Sequence, residues 1–217
     1  MKYKLSEEKK MLYGRTLHRI VCVTAFASVQ VGDFGGWVES KNNLSQNGDA
    51  WVYGNAKVCG NAKVYGDAWV YGNAKVCGNA QVCGDAKVYG DAWVYGDAKV
   101  YGNAKVYGDA EVCGNVEVYG DAWVYGDAKV CGDAKVYGDA WVYGDADYIV
   151  LKNNWSSGRY YTYTASNKMW SVGCFHETGE ELIAKAYKDS ELSGKCYEAS
   201  VRYVEELERI KAECKDG

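Results

Sequence analysis

Histidine and cysteine, the side chains most often used as bases, nucleophiles and metal ligands, offer little catalytic chemistry in this 217-residue sequence. The two histidines are His18 and His176, and only an imidazole titrates close to neutral pH without help from its surroundings. Neither has a sequence neighbour that marks it as a general base or a ligand. A Ser-His-Asp set, a phosphate-binding P-loop and a dinucleotide fingerprint are also missing. We therefore expect a protein that is not an enzyme and holds no cofactor.

The nine cysteines raise the question of disulfides and metal sites. An odd number of cysteines in a chain that starts without an apolar secretion signal favours free thiols. No two cysteines form a CxxC pair with a histidine nearby, so we expect no zinc site.

Most of the structural elements that could position a functional site belong to one short repeat. Residues 48–143 form sixteen consecutive copies of one six-residue word, Gly-[Asp/Asn]-Ala-x-Val-[Tyr/Cys], with Val116 as the one departure from alanine. Ala and Val point to one side of a short strand and x points to the other. Gly with Asp or Asn supplies a turn, because glycine takes positive φ freely. Three words make a triangular coil of eighteen residues, and coils stack at roughly 4.8 Å.

The eighteen-residue coil sorts the outward residues into three faces. The first face carries Trp51, Trp69, Lys87, Lys105, Trp123 and Trp141, the second Lys57, Lys75, Trp93, Glu111 and Lys129, and the third Lys63, Gln81, Lys99, Glu117 and Lys135. The corner after the first face, called the tyrosine corner below, is Tyr53, Tyr71, Tyr89, Tyr107, Tyr125 and Tyr143. The first face and the tyrosine corner are the distinctive surface.

Two interpretations of this surface compete. Identical residues one coil apart could simply stabilise the solenoid, by about 0.2 to 1 kcal/mol for each cross-strand contact. Alternatively, exposed tryptophans and tyrosines form an apolar patch that marks an interface with a second copy or another protein. The candidate partner-binding residues are Trp51, Trp69, Trp123, Trp141, Tyr53, Tyr71, Tyr125, Tyr143, Lys87 and Lys105.

In the repeat, an aliphatic inward residue is followed four positions later by a small one, as in Val52 with Ala56. This spacing resembles that of the hexapeptide-repeat family of parallel β-helices. The resemblance implies a mainly β fold, a single-stranded triangular left-handed parallel β-helix. Many members are acyltransferases, which commonly place a histidine base between subunits and extend a loop from one corner. Here both histidines lie outside the repeat and the sixteen words contain no insertion, so an acyltransferase is the least favoured function.

Residues 1–47 are predicted to form an N-terminal β cap over the first coil. Strand-like runs cover residues 2–5 and 16–23, and residues 29–40 form a degenerate repeat with Gly-Asp and Trp-Val pairs. This segment, with the first regular words, is similar to hexapeptide-repeat proteins of phages and prophages that are often labelled as transferases or polymer-forming proteins. The similarity implies a mobile-element origin.

The β-helix is assigned to residues 48–146, and residues 147–217 to a small C-terminal α+β domain. This domain is predicted to contain a β-meander with strands at 148–152, 159–165 and 170–175.

Two helices are predicted to follow the meander. Thr178 and Glu181 match a capping box, so the first helix should run to about Asp189, and the second should follow the Ser193-Gly194 break. The second helix has an apolar stripe at Cys196, Ala199, Tyr203, Leu207, Ile210 and Cys214. We expect the stripe to pack on the domain's own sheet; the alternative is that it is open to a partner.

The net charge and the hydropathy of the chain indicate where it acts and what it binds. A net charge of −4 implies no broad basic surface, so we expect no binding to nucleic acid. The sequence has no run of eighteen apolar residues that could cross a membrane, so we expect a protein of the bacterial host cytoplasm that does not bind membranes.

The preferred hypothesis is a rigid platform that binds a host protein, such as a CRISPR or other defence nuclease complex, and inhibits it as an anti-CRISPR protein would. Rows of Asp and Asn could instead mimic a nucleic acid, but the words hold ten Asp and two Glu against eight Lys, a weak negative field. A homo-oligomeric scaffold, such as a closed homodimer, is the third possibility.

Overall fold

The computed structural model describes residues 1–214 and shows a mainly β chain. It divides after Asp147 into two compact units. The first is a β-solenoid with its N-terminal segment, and the second is an α+β unit.

Each repeat word forms one strand of two residues. The sixteen strands are β4 (Trp51–Val52), β5 (Lys57–Val58), β6 (Lys63–Val64), β7 (Trp69–Val70), β8 (Lys75–Val76), β9 (Gln81–Val82), β10 (Lys87–Val88), β11 (Trp93–Val94), β12 (Lys99–Val100), β13 (Lys105–Val106), β14 (Glu111–Val112), β15 (Glu117–Val118), β16 (Trp123–Val124), β17 (Lys129–Val130), β18 (Lys135–Val136) and β19 (Trp141–Val142). The inward Ala and Val of every word are buried, with exposures of 0 or 1%. The predicted alternation is therefore confirmed along the whole repeat.

Parallel sheets form the three faces. One sheet has six strands in the order β19-β16-β13-β10-β7-β4, a second has five, and a third joins the words of the second face to the N-terminal segment. The strand register pairs Trp51 with Trp69 and Val52 with Val70, and the Trp69 amide donates to the Ala86 carbonyl at 2.9 Å. Each residue thus lies opposite the one eighteen positions away, which confirms the eighteen-residue coil.

Glycine at the corners is required for two reasons, as Gly90 shows. Its φ is +71°, a region that favours glycine, and a Cβ there would lie 2.9 Å from the backbone nitrogen of Gly108 in the next coil. The word therefore repeats glycine because stacked corners leave no space for a side chain.

The N-terminal segment contains β1 (Tyr3–Leu12), β2 (Arg15–Cys22) and β3 (Phe34–Val38), which continue the sheet of the second face. β1 and β2 pair antiparallel, and β3 pairs parallel with β5 as a coil strand would. The degenerate repeat is therefore part of the solenoid. β1 is longer than predicted because its charged residues run on as one arm of a hairpin, where Lys10 lies 5.6 Å from the Trp37 ring centre.

Side chains complete the hydrogen bonds at both ends of the repeat. Within the solenoid an amide donates to a carbonyl of the next coil, so the first carbonyls and the last amides need other partners. At the start, Lys2 Nζ donates to the Ala50 carbonyl at 2.7 Å, and Asn43 Nδ2 donates to the Ala62 carbonyl at 2.9 Å. At the other end, the carboxylate of Asp145 accepts from the Lys129 amide, and that of Asp147 from the Tyr143 amide, each at 2.9 Å.

The second unit is a four-stranded antiparallel meander with two helices. Its elements are β20 (Tyr148–Lys152), β21 (Tyr160–Thr164), β22 (Met169–Val172), β23 (Phe175–Glu177), α1 (Gly179–Asp189) and α2 (Glu191–Glu213). The predicted strand at 170–175 is wrong, because Gly173 turns the chain with a φ of +59° and divides it into β22 and β23. The capping box and the end of α1 at Asp189 are confirmed.

α2 begins before the predicted break. Ser190 caps it by accepting a hydrogen bond from the Ser193 amide at 3.1 Å. Gly194 lies inside the helix, and a Cβ there would meet the Tyr187 ring at 2.3 Å. This glycine therefore permits close packing of α1 on α2 and does not interrupt the helix.

The buried side of α2 is also different from the expected one. Tyr197, Val201 and Val204 enter the core of the unit, together with Trp170 and Leu182. The predicted stripe instead faces outward, with Tyr203 54% and Ile210 44% exposed. α2 therefore has two apolar stripes, and the expectation that the predicted one packs on the sheet is wrong.

Candidate protein-binding face

The first face and the tyrosine corner bring most candidate residues into one continuous strip, since register places them one above another along the solenoid. Tyr53, Trp141 and Tyr143 are 54, 52 and 58% exposed. Lys87 is exposed, and Trp69, Tyr71, Lys105, Trp123 and Tyr125 are partly exposed.

Trp51 does not belong to this surface. Only 1% of it is exposed, because the rings of Tyr3 and Phe26 pack edge-on against it at 6.3 and 5.4 Å. Its Nε1 is buried and finds no hydrogen-bond partner among the described residues. The N-terminal segment thus covers the first coil, and the assignment of Trp51 to partner binding is wrong.

The tyrosine corner is a ring stack. Tyr89 lies between Tyr71 and Tyr107 with centroid separations of 4.8 Å and interplanar angles of 2° and 1°. Ring faces inside the stack cover one another, so the corner presents ring edges and hydroxyls. Burial raises the pKa of all three phenols, and neighbouring tyrosines add to this for Tyr89 and Tyr107. The phenols therefore stay neutral and can donate hydrogen bonds across the physiological pH range.

The tryptophans of the first face are held by cations and rings. Lys105 Nζ lies 4.2 Å above the centre of the Trp123 ring, a cation–π contact. Trp141 stacks on the other side of Trp123, with centroids 5.7 Å apart. At the other end of the face, Tyr53, Trp69, Tyr71 and Lys87 line a groove of about 320 Å³. Ordered aromatic edges next to ammonium groups suit a partner surface that combines apolar and acidic groups.

The second and third faces differ from the first. The hairpin of β1 and β2 contacts the second face, where the Tyr13 ring lies 6.3 Å from Trp93. Lys57 on this face is 9% exposed, and burial, together with the charges of Lys10 and Lys75, lowers its pKa.

The third face is an ion-pair ladder. Glu117 lies 3.5 Å from Lys99 and 3.0 Å from Lys135. Partial burial works to raise the pKa of Glu117, but its hydrogen bonds and Coulomb attraction to the two lysines outweigh this and lower it. Three of the four charged residues on this face, Lys99, Glu117 and Lys135, therefore pair with one another.

A cavity of about 640 Å³ is lined by N-terminal and first-coil residues. Arg15 donates to both carboxylate oxygens of Glu39 at 2.9 and 3.0 Å, and Glu39 Oε2 accepts from the Gly60 amide at 2.7 Å. Since these groups already bind one another, we do not assign a ligand to this cavity.

The histidines lie outside the repeat strands. His18 is a half-buried residue of β2, and His176 in β23 forms a 2.8 Å hydrogen bond between its Nδ1 and the Ser171 hydroxyl. Within residues 1–214, no cluster of His, Cys, Asp and Glu could hold a metal ion, and no helix is long and apolar enough to cross a membrane.

The cysteines correct one expectation. Cys113 and Cys131 form a disulfide with their Cα atoms 4.7 Å apart, so the chain does not hold thiols alone. In the same corner, the sulfurs of Cys59 and Cys77 lie 2.8 Å apart as thiols. The eighteen-residue register brings identical corner residues to the strand spacing, a geometry within the range of disulfides. An odd cysteine count could not exclude this pairing.

The repeat matches one family model, described as the YdcK Beta solenoid repeat, over residues 80–96. This is a β-solenoid repeat. A curated relative, the "Uncharacterized acetyltransferase YdcK" of Escherichia coli (strain K12), is 30% identical over 78 residues, which cover 29% of this chain and 24% of the relative. The chain thus spans about a quarter of the length of the curated relative that it matches. The matched model segment is shorter than one coil, so the likeness concerns the architecture of the repeat.

Proposed function

We propose that this chain is a non-enzymatic protein-binding solenoid, and that the partner contacts the first face and the tyrosine corner from Tyr53 to Tyr143. The observation that carries the proposal is the difference between the faces. The hairpin contacts the second face, and Glu117 pairs with two lysines of the third. The first face presents half-exposed aromatic rings beside Lys87 and Lys105. Aromatic residues are enriched where proteins bind proteins, and large apolar patches are uncommon on surfaces without a partner.

In its specific form, the proposal is that a phage or mobile element encodes the chain and that it inhibits a defence nuclease complex in the host cytoplasm. This form rests on the resemblance, seen in the sequence alone, of the N-terminal segment and the first repeat words to phage and prophage proteins. A disulfide is more typical of oxidising compartments. Fractionation of cells that express the chain therefore tests the cytoplasmic location separately.

An affinity pull-down of the tagged chain from a bacterial lysate, with and without nuclease, tests the proposal. The wild type should retain a stoichiometric protein that survives nuclease treatment. A Trp69→Ser, Trp123→Ser, Trp141→Ser variant should lose it, because buried tryptophans at protein interfaces often contribute about 2 to 4 kcal/mol each.

The matched control changes three outward residues of the third face, as Lys63→Ser, Gln81→Ser and Lys135→Ser. It should retain the partner as the wild type does. If the tryptophan variant also retains the partner, or if only the third-face variant loses it, the first face is not the binding surface.

A homo-oligomeric scaffold built through the first face is an alternative with the same surface. Light scattering on a Trp69→Ser, Trp123→Ser variant decides this, because under this alternative the assembly falls in mass. An unchanged mass would eliminate this interface between copies.

An acyltransferase is the second candidate function, favoured by the name of the E. coli relative. Acyl transfer needs a positioned base, and both histidines lie outside the repeat strands. Incubation with acetyl-CoA and mixed amine and hydroxyl acceptors, followed by free-thiol release, tests it. Thiol release above the blank that disappears in a His18→Asn or His176→Asn variant would replace the binding proposal with an enzyme.

A further inference from the structure

The outward apolar stripe of α2 is a second surface, independent of the first face. Its members are Leu192, Cys196, Ala199, Tyr203, Leu207 and Ile210. Leu192 is 55% exposed, Tyr203 54% and Ile210 44%, whereas Val201 and Val204 on the opposite side of the helix are buried at 1%. α2 thus presents apolar side chains beyond those that its own core uses.

The stripe continues into a neighbouring groove. The groove has a volume of about 440 Å³, and its lining includes Leu151, Tyr161, Ala199 and Tyr203. Trp155, 80% exposed, forms part of the same lining. The apolar area is therefore wider than the helix alone and offers a trough alongside it.

The spacing of the stripe fits a second helix. Its members follow one another at intervals of four and three residues, close to the 3.5-residue period of helices that pack along their length. A stripe with this period stays in contact with a partner helix over several turns, which favours a helix over an extended peptide as occupant.

We propose that this surface binds α2 of a second copy of the chain in an antiparallel pair, with the twofold axis on the outward stripe between Ala199 and Tyr203. In that register Leu192 faces Ile210 of the second copy. Ala199 faces Tyr203 of the second copy, so a small residue receives a large one. Both contacts occur twice, as an isologous interface requires.

Charge complementarity selects the antiparallel second copy. Lys195 comes opposite the turn that carries Glu206 of the second copy, because both residues lie on the same flank of the stripe and an antiparallel pair brings like flanks together. A parallel pair would bring the other flank of the partner stripe against Lys195, so this ion pair would not form. The pairs that Lys195 makes with Glu191 and Glu206 makes with Arg209 inside the chain are exposed, with more than half of each side chain accessible. Exposed ion pairs of this kind contribute little free energy, so these residues can exchange partners.

Light scattering or sedimentation of the full chain over a concentration series tests the pairing. The expected mass is twice the 24.0 kDa of one chain. Tyr203→Glu should raise the dissociation constant by roughly a hundredfold or more, because it puts a carboxylate into the centre of the apolar contact. A mass of one chain for the wild type throughout, or a Tyr203→Glu dimer as tight as the wild type, would overturn the proposal.

Charge exchange separates loss of pairing from loss of folding. Lys195→Glu and Glu206→Lys should each raise the dissociation constant by roughly tenfold, and the double variant should recover the wild-type value. Circular dichroism and thermal melting of each variant should match the wild type. Failure of the double variant to recover would exclude this register.

The Trp69→Ser, Trp123→Ser variant is the second control. It should leave the mass of the pair unchanged, since the pairing does not depend on the first face. Loss of the dimer in this variant, with Tyr203→Glu unaffected, would assign the interface to the solenoid.

Discussion

The first and third faces of the solenoid have the same backbone and different chemistry. Both stack two-residue strands whose inward residues are alanine and valine. The first adds Trp, Lys and the tyrosine corner, and its rings stack in register. The third places Glu117 between Lys99 and Lys135, and these three charges pair with one another. The scaffold therefore leaves the choice of surface to the outward residue and the Tyr or Cys corner of each word, and binding function must be argued from those positions.

The largest expected effect comes from the glycine corners, which every face of the solenoid has. Gly90→Ala should lower the free energy of unfolding by at least about 2 kcal/mol, because a Cβ at positive φ would also approach Gly108 to 2.9 Å. Urea denaturation measures the loss.

Gly132→Ala is the matched control for this change. Gly132 has a φ of +79°, but a Cβ there meets no atom within 4 Å, so only the backbone strain of about 1 kcal/mol remains. Equal losses in the two variants would show that stacking of the corners does not dictate glycine.

A smaller effect should come from the ring stack beside the first face. Tyr89→Leu removes stacking with both Tyr71 and Tyr107, each worth about 0.5 to 1.5 kcal/mol. Tyr53→Leu, at the half-exposed end of the same corner, should cost less, because the described ring contacts do not include Tyr53. Unfolding curves compare the two, and equal costs would mean that the stack contributes binding surface and not stability.

The smallest effect belongs to the third face. Glu117→Gln removes two ion pairs, which together should stabilise the solenoid by no more than about 1 kcal/mol. Because the folded pKa of Glu117 is lowered, its contribution is present above the unfolded pKa and is lost as pH falls through the folded pKa. Wild type and variant should thus differ at neutral pH and converge in acid. A difference that grows on acidification would contradict the assigned direction of the pKa shift.

Much of the solenoid could be predicted from its sequence because the period is local. Each six-residue word specifies a strand, a turn and an inward-facing pair. The residue eighteen positions further along the sequence is its neighbour in the next coil. Trp51 could not be assigned in this way, since Tyr3 and Phe26 cover it from a segment outside the repeat. The Cys113–Cys131 bond follows from register, but the cysteine count directed the interpretation towards thiols.

The second unit was harder to predict because its periodicity is ambiguous. α2 has two apolar stripes, and helical spacing alone does not tell which of them meets the sheet. Buried Gly194 and Ser193 carry no hydrophobic signal, although they lie on the packed side. Position 194 requires glycine because the Tyr187 ring of α1 packs against it. The sequence of α2 alone does not show this contact.

The eighteen-residue register also has an evolutionary consequence. Loss or gain of fifty-four nucleotides within the repeat would remove or add one whole coil, while every remaining residue kept its face and the side chains that complete both ends stayed in place. Loss of eighteen nucleotides would move every later tryptophan to a different face. Recombination between such similar words can therefore change the length of the binding strip in units of one coil, roughly 4.8 Å, without redesign of the surface.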